Sequence, residues 1–295
     1  MRSPSSMAVA VRRSDGSVAM LEKPFISITR KFKVLGLPFL RGAVSLFETL
    51  YLGMTALQFS ADEASKDEEG TPAVGGWVQG VIQTVSMLFA FGLGIMMFVV
   101  MPAKITEWLG FQSRIGFGLV DGFFRLMAFM LYLVLISQWK EMARVLGYHG
   151  AEHKAIHALE ARAPLTPESV QTFSRFHPRC GTSFLFLVVV VSIVVFTFIG
   201  KPRGIGDHLL RIAAMPVIVG VAFEFIRLSG KYADRPFVRA LIWPGMQFQR
   251  LTTREPDLTM CAVAFAALER VRSDEVVRRL ESAPAETRTE VAFIQ

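Results

Sequence analysis

The residues His149-Gly150-Ala151-Glu152-His153 spell H-x-x-E-H in a polar interlude between long apolar stretches. On a helix, His149 and His153 stand one turn apart on one face, so both imidazoles can reach a single metal ion. Glu152 projects beside them, placed to hold or deprotonate a water that the metal activates, which makes it the candidate catalytic base. At 100° per residue, His149, His153, His157 and Glu160 fall within about 80° of one another, and Glu152 lies about 60° to the other side of His149. Further along, His177-Pro178-Arg179-Cys180-Gly181 immediately precedes another apolar run. Pro178 sets the chain direction and Gly181 permits a tight turn, a geometry that could present His177 and Cys180 as a ligand pair. Four of the five histidines thus lie between positions 149 and 177. A catalytic zinc takes three protein ligands and a water. His149 and His153 supply two, and the third comes from His157, Glu160, His177 or Cys180. The same residues admit plainer roles. Lys154 can pair with Glu152 or Glu160, Arg179 can anchor an interface, and Cys180 can pack as a small apolar side chain. A cysteine–histidine nucleophilic dyad is a further option.

The elements that must position these groups are mostly membrane helices. Hydrophobic residues make up 52 % of the 295, with 25 Phe and 14 Met, and mean hydropathy is +0.41. That is too apolar for an ordinary soluble protein. The net charge of +7 comes with no nucleic-acid recognition motif, and the basic residues flank apolar segments. Anionic lipid headgroups fit that pattern better than nucleic acid, which is excluded as a partner. Two cysteines cannot build a disulfide framework. No secretory signal is visible.

The N-terminal 36 residues read as a β-hairpin, with strands near Met7–Val11 and Val18–Leu21 around an Asp15-Gly16 turn. Leu37–Ser60 is apolar but interrupted by Arg41 and Glu48, and reads as a re-entrant or interfacial helix. Residues 62–76 read as a flexible acidic and glycine-containing loop. Spans are expected at about 78–102, 115–139, 182–200 and 209–228, each long enough to cross a ~30 Å hydrocarbon core. Asp121 and Arg125 are four residues apart and can pair on one helical face, and Glu224 with Arg227 forms a similar set. These charges, with Arg41 and Glu48, are read as structural intramembrane groups that lock helices together. His208 is read as interfacial. Four spans place both basic termini and the 140–181 segment on the cytoplasmic side, in keeping with the positive-inside tendency. In the region 230–295, Thr252-Thr253-Arg254-Glu255-Pro256-Asp257 looks like a helix start with a capping Thr or Asp and a first-turn proline. Met260–Leu280 then reads as an amphipathic surface helix.

Five runs carry a resemblance: Met1-Arg2-Ser3-Pro4, Pro38-Phe39-Leu40-Arg41-Gly42, Tyr148 to Lys154, Arg175 to Phe184, and Gln249 to Pro256. The chain resembles the YqhQ-like family of bacterial and plastid membrane proteins, whose general label is predicted metal-dependent enzyme. The resemblance spans nearly the whole chain. Family members usually carry a glycine-containing segment before the Met-Arg-Ser-Pro; its absence here suggests that the native chain begins upstream of Met1. His157 stands where similar proteins often carry other residues, so the resemblance favours Glu160, His177 or Cys180 as third ligand.

The expectation is a mainly α, polytopic membrane protein of the bacterial inner membrane, with about four transmembrane helices, one re-entrant or interfacial helix, and a small cytoplasmic part combining the hairpin with the C-terminal helix. Its expected function is that of a metal-dependent enzyme, with zinc as cofactor and hydrolysis as the reaction, working at the cytoplasmic membrane face. His149, His153, Glu160, His177 and Cys180 are the metal candidates. Expected partners are membrane lipids and a further copy of the chain or another membrane protein. The alternatives are a non-enzymatic structural or partner-binding factor and an ion or metal transporter using Asp121, Glu224 and the histidines. Four spans without an inverted repeat argue against the transporter.

Overall fold

A computed structural model describes residues 1–3, 6–66, 76–178, 180–232 and 235–272. Most of the expected 62–76 loop, Arg179, and the part of the C-terminal helix expected beyond residue 272 lie outside the described residues. β1 (Ser6–Arg12) and β2 (Val18–Pro24) form a two-stranded antiparallel sheet with Ser6 opposite Pro24 and Arg12 opposite Val18. Gly16 takes a φ of 84°, and the Asp15 carboxylate accepts a hydrogen bond from the Ser17 N–H at 2.8 Å. This is the turn that Asp-Gly favours, since glycine adopts positive φ without steric cost.

Helices follow in chain order: α1 (Ile28–Lys31), a 3₁₀ turn at Lys33–Gly36, α2 (Leu40–Ser65), and α3 (Gly76–Ile95). A π-helical segment at Met96–Val100 joins α3 to α4 (Met101–Trp108). Pro102 has no N–H to return to the carbonyl one turn back, and the wider turn lies just before it. Then come α5 (Arg114–Ser137), α6 (Lys140–Glu160), α7 (Pro167–Gln171), α8 (Gly181–Ile199), α9 (Ile205–Ala213), α10 (Met215–Lys231), α11 (Pro236–Thr252) and α12 (Leu258–Val271). Among the described residues, four helical stretches are long and apolar enough to cross a membrane: Gly80–Trp108, Arg114–Ser137, Gly181–Ile199 and Ile205–Lys231. They match the four expected windows. They also turn large apolar side chains such as Phe89, Leu131 and Phe198 outward, the pattern of a surface solvated by lipid tails. α2 is a continuous helix but is not among the four.

The chain divides into two compact units. The first draws on residues 1–67, 134–187 and 219–295. Its core packs Ala8 of β1 with Ala151, Ala155, Ile156 and Ala158 of α6, Val170 of α7, and Cys261, Ala264, Leu268 and Val271 of α12. The expectation of a surface helix after Met260 is therefore corrected. Small Ala and Cys side chains let α12 pack closely on α6, and β1 lies against it as well. Asp257 caps α12 by accepting from the Met260 N–H at 2.7 Å, as the sequence suggested, but Pro256 precedes the cap instead of occupying the first turn.

The Pro38-Phe39-Leu40-Arg41-Gly42 run docks against α10. Arg41 forms an ion pair with Glu224, a link between α2 and α10 set by helix–helix geometry and not by neighbourhood in sequence. A Cβ on Gly42 would collide with Phe223, and one on Gly220 would collide with the Phe39 backbone. Glu48, buried, accepts from Ser27 Oγ at 2.9 Å and the Ile28 N–H at 2.6 Å, and pairs with Arg2 at 3.2 Å. It ties the start of the chain to α2.

The second unit draws on residues 68–133 and 188–218. Asp121 and Arg125 pair at 2.9 Å, as their spacing on α5 suggested, and Arg211 of α9 joins them at 3.4 Å. All three are buried. Gly118 and Gly122 of α5 leave room for Thr197 and Ile193 of α8, the small-residue packing that lets membrane helices approach.

Candidate functional site

The histidine stripe forms as its spacing required, because α6 runs unbroken from Lys140 to Glu160. Its inner face is Gly147, Gly150, Ala151 and Ala155, all buried. A Cβ on Gly150 would run into the Arg254 carbonyl. That close approach explains the glycine inside H-x-x-E-H: it seats the α11–α12 turn directly on α6, where the Arg254 N–H also donates to the Leu146 carbonyl at 2.8 Å. The His177–Cys180 segment returns to the same place. Gln249 of α11 clamps the His177 backbone, accepting its N–H at 2.8 Å and donating to its carbonyl at 2.6 Å.

Three histidines are oriented by backbone carbonyls. His149 Nδ1 donates to Thr252 at 2.8 Å, His153 Nδ1 to Arg175 at 2.6 Å, and His157 Nε2 to Phe176 at 2.8 Å. In the neutral ring such a bond selects the tautomer and leaves the opposite nitrogen with its lone pair. His153 Nε2 is buried and makes no hydrogen bond. The result is two groups, side by side. In one, the ligand atoms of His149, His153 and Cys180 lie within 4.8 Å of one another; in the other, those of His157, Glu160 and His177 do. The His149 and His153 rings are 4.4 Å apart, His153 and His177 5.8 Å, and His157 and His177 4.7 Å, centroid to centroid.

The first group is strongly polarised. Burial alone would push the Cys180 thiol up, but its contact with His149 and the charge of His149 and His153 bring it down to about 5. Burial alone would push His149 down, but Cys180, with Glu152 and the Thr252 carbonyl, raises it to about 9. The two side chains meet with Sγ 3.5 Å from Nε2 of His149. Thr182 Oγ1 lies 3.1 Å from the sulfur and the Thr182 N–H donates to it at 3.4 Å. Cys180 also stands at the N-terminus of α8, where the helix dipole favours a thiolate. In the second group, burial lowers His157 and holds it neutral, the metal-binding form, with the neighbouring His177 acting in the same direction.

The chemistry of the donors suits a divalent metal. Tetrahedral zinc with nitrogen at about 2.0–2.1 Å and sulfur at about 2.3 Å spaces adjacent ligand atoms by roughly 3.3–3.6 Å. The 3.5 Å between His149 and Cys180 and the 3.4 Å between Glu160 Oε2 and His177 Nε2 already match.

The sequence candidates separate accordingly. His149, His153 and Cys180 converge, whereas Glu160 and His177 join His157, which the sequence disfavoured. Glu152 belongs to neither group; it is half-buried on α6, and its charge acts on His149. Lys154 pairs with neither Glu152 nor Glu160. It turns to the other side of α6, donating to the Gln171 and Phe173 carbonyls at 2.8 and 2.7 Å and pairing with Glu255 at 2.6 Å. Sequence reasoning missed Gln249 and the three orienting carbonyls. Gln249 stands in a quoted run, but nothing in a sequence reveals a backbone carbonyl as a histidine's partner.

Residues 37–274 match the family model described as protein of unknown function (DUF1385). The chain is 28 % identical over 285 residues, covering 94 % of this chain and 90 % of the relative, to the "Uncharacterized protein YqhQ" of Bacillus subtilis (strain 168). No solved structure matches. The stretches that build the two groups, from α6 through the α11–α12 turn, fall inside the matched region, and the chain belongs to the YqhQ-like DUF1385 family.

Proposed function

We propose that this protein is a metal-dependent membrane enzyme, a hydrolase working where its helices meet the cytoplasmic face of the inner membrane. The observation that carries this reading is the convergence of His149, His153 and Cys180, with the His153 Nε2 lone pair buried and unbonded between them. Lone pairs and a thiolate gathered so tightly repel unless a proton or a cation lies among them. A divalent ion held there would lower the pKa of water toward ~7 and supply a nucleophile at neutral pH. His149, His153 and Cys180 are the residues that would hold it, fixed from behind by the Thr252 and Arg175 carbonyls and by Thr182. Glu152, half-buried beside His149, is the group placed to accept a proton from water.

An open pocket of about 420 Å³ adjoins the His177 segment, bordered by Phe176, Pro178, Arg239, Trp243, Met246 and Arg250. Its apolar walls and two arginines suit an anionic amphiphile, which agrees with membrane lipid as the chemical surroundings of the substrate.

Elemental mass spectrometry of the detergent-purified full chain tests the reading. About one or more zinc ions per chain are expected, with fewer held by a folded His149→Ala/His153→Ala variant. No bound metal, even after reconstitution, would sink it. A second reading rests on the 3.5 Å Cys180–His149 contact and the lowered thiol: a metal-free cysteine–histidine dyad. It expects rapid alkylation of Cys180 in the purified protein with no protection by zinc. The metal reading expects zinc to block alkylation.

A further inference from the structure

We infer that the site is dinuclear, with a second divalent metal held by His157, Glu160 and His177 beside the ion at His149, His153 and Cys180. The inference rests on the metal reading of the first group and adds a separate ligand set to it. The three ligand atoms of the second group lie within 4.8 Å of one another, and Glu160 Oε2 is 3.4 Å from His177 Nε2. His157 and Glu160 are three apart on α6, so they share a face one turn beyond His153. His177 arrives from the loop, and its backbone is clamped by Gln249 on both sides. His157 donates Nε2–H to the Phe176 carbonyl at 2.8 Å, which leaves Nδ1 as the nitrogen that can bind. The two sets do not compete for a residue. They are contiguous through His153 and His177, whose ring centroids are 5.8 Å apart.

The donors also make the two ions different. Each set contributes one anion, the Cys180 thiolate or the Glu160 carboxylate, so each ion keeps a net positive charge. The first set is enclosed: His153 and Cys180 are both 0 % exposed. The second opens outward, since the Glu160 side chain is 25 % exposed. The soft, buried sulfur set is built to retain its metal, and the oxygen–nitrogen set is built to exchange metal and to admit substrate.

Metal counting with cobalt spectroscopy on the full-length protein in detergent tests this. Wild type should bind two cobalt or zinc ions per chain. The first cobalt should bring a thiolate-to-metal charge-transfer band, and the second should add d–d absorption without it. Glu160→Ala, at a partly exposed position, should bind one ion and keep the full charge-transfer band. His157→Ala should behave alike, and a mild chelator should strip only the second ion from wild type. One ion per chain in wild type, unchanged in Glu160→Ala and lost in Cys180→Ser, would overturn the second site while leaving the metal enzyme standing. Two ions retained in both Glu160→Ala and His157→Ala, or none left in Glu160→Ala, would overturn it as well. No metal in wild type would remove both readings together.

Discussion

In the second unit, Asp121 gives one carboxylate oxygen to both Arg125 and Arg211, at 2.9 and 3.4 Å. The Phe196 ring lies 4.4 Å from the Arg125 guanidinium and 5.1 Å from that of Arg211, and Arg211 donates to the Gly200 carbonyl at 2.8 Å. In the first unit, the histidines are held from behind by main-chain carbonyls, and their other nitrogens face a thiolate and a carboxylate. Both regions bury polar groups carried on helices. The arginine–aspartate knot pairs opposite charges with each other, with the Gly200 carbonyl and with the aromatic faces around them, although Asp121 Oδ1 and both arginine Nε atoms make no hydrogen bond. His149, His153 and His157 each spend one nitrogen on the backbone, and the ligand atoms of each group gather within 4.8 Å of one another. The first arrangement joins helices; the second gathers donor atoms that would suit the proposed cation.

The contrast can be broken most forcefully at Asp121. Asp121→Ala leaves two buried guanidinium groups without a counter-charge and should cost about 3–5 kcal/mol, read by denaturant unfolding in detergent, while metal content and chelator response stay as in wild type. A loss of metal in this variant would show that the two regions are not distinct in role.

Next in size is metal removal. A ligand present at 100- to 1,000-fold its dissociation constant stabilises the native state by about 3–4 kcal/mol. Exhaustive chelation should remove that increment from wild type and remove less from His149→Ala/His153→Ala, with thermal unfolding as the readout. An equal chelator response in both proteins would place the metal elsewhere.

Gly150→Ala drives a methyl into the Arg254 carbonyl and should cost about 1–3 kcal/mol by overpacking. Because the same turn carries the Thr252 carbonyl that orients His149, this variant should also weaken metal binding. Gly118→Ala, which crowds Thr197 in the second unit, should be destabilising without a metal effect.

The smallest effect is in pH. In metal-free protein, Cys180 is held down to about 5 from an ordinary 9.0, so its stabilisation is fully present above pH 9 and lost as pH falls through 5. His149 is raised to about 9 from 6.5, so its stabilisation is fully present below pH 6.5 and lost as pH rises through 9. Between 6.5 and 9 the two trends oppose, and stability should be nearly flat there. It should decline from about 6.5 toward 5. Cys180→Ser should abolish that acid-side decline, and the thiolate ultraviolet absorbance of wild type should titrate near 5. A thiol titrating near 9 would show that the cysteine belongs with the passively buried residues.

Much of this was legible in the chain. Apolar runs without charge announced the span-length helices, because length and hydropathy are local properties. The Asp15-Gly16 turn and the Asp257 cap were legible because a turn or cap is completed within three residues. The H-x-x-E-H spacing placed His149 and His153 together, because helical periodicity is local as well. The ion pair of Asp121 with Arg125 followed from the same periodicity.

Partners distant in sequence were another matter. Glu224 pairs with Arg41, which only the docking of α2 on α10 brings to it. Lys154 had two glutamates as neighbours and turned away from both toward Gln171, Phe173 and Glu255. α12 carried an amphipathic pattern that suited a surface, but the pattern does not say how many elements cover the apolar face. By itself, then, the sequence determined the helices, the turn and the stripe of histidines, all set by interactions within one or two helical turns. Only the tertiary structure decided that Cys180 closes on His149 and that Glu160 and His177 gather around His157. Those contacts join segments 17 to 31 residues apart, and they depend on the carbonyls of Thr252, Arg175 and Phe176, which every residue type carries alike.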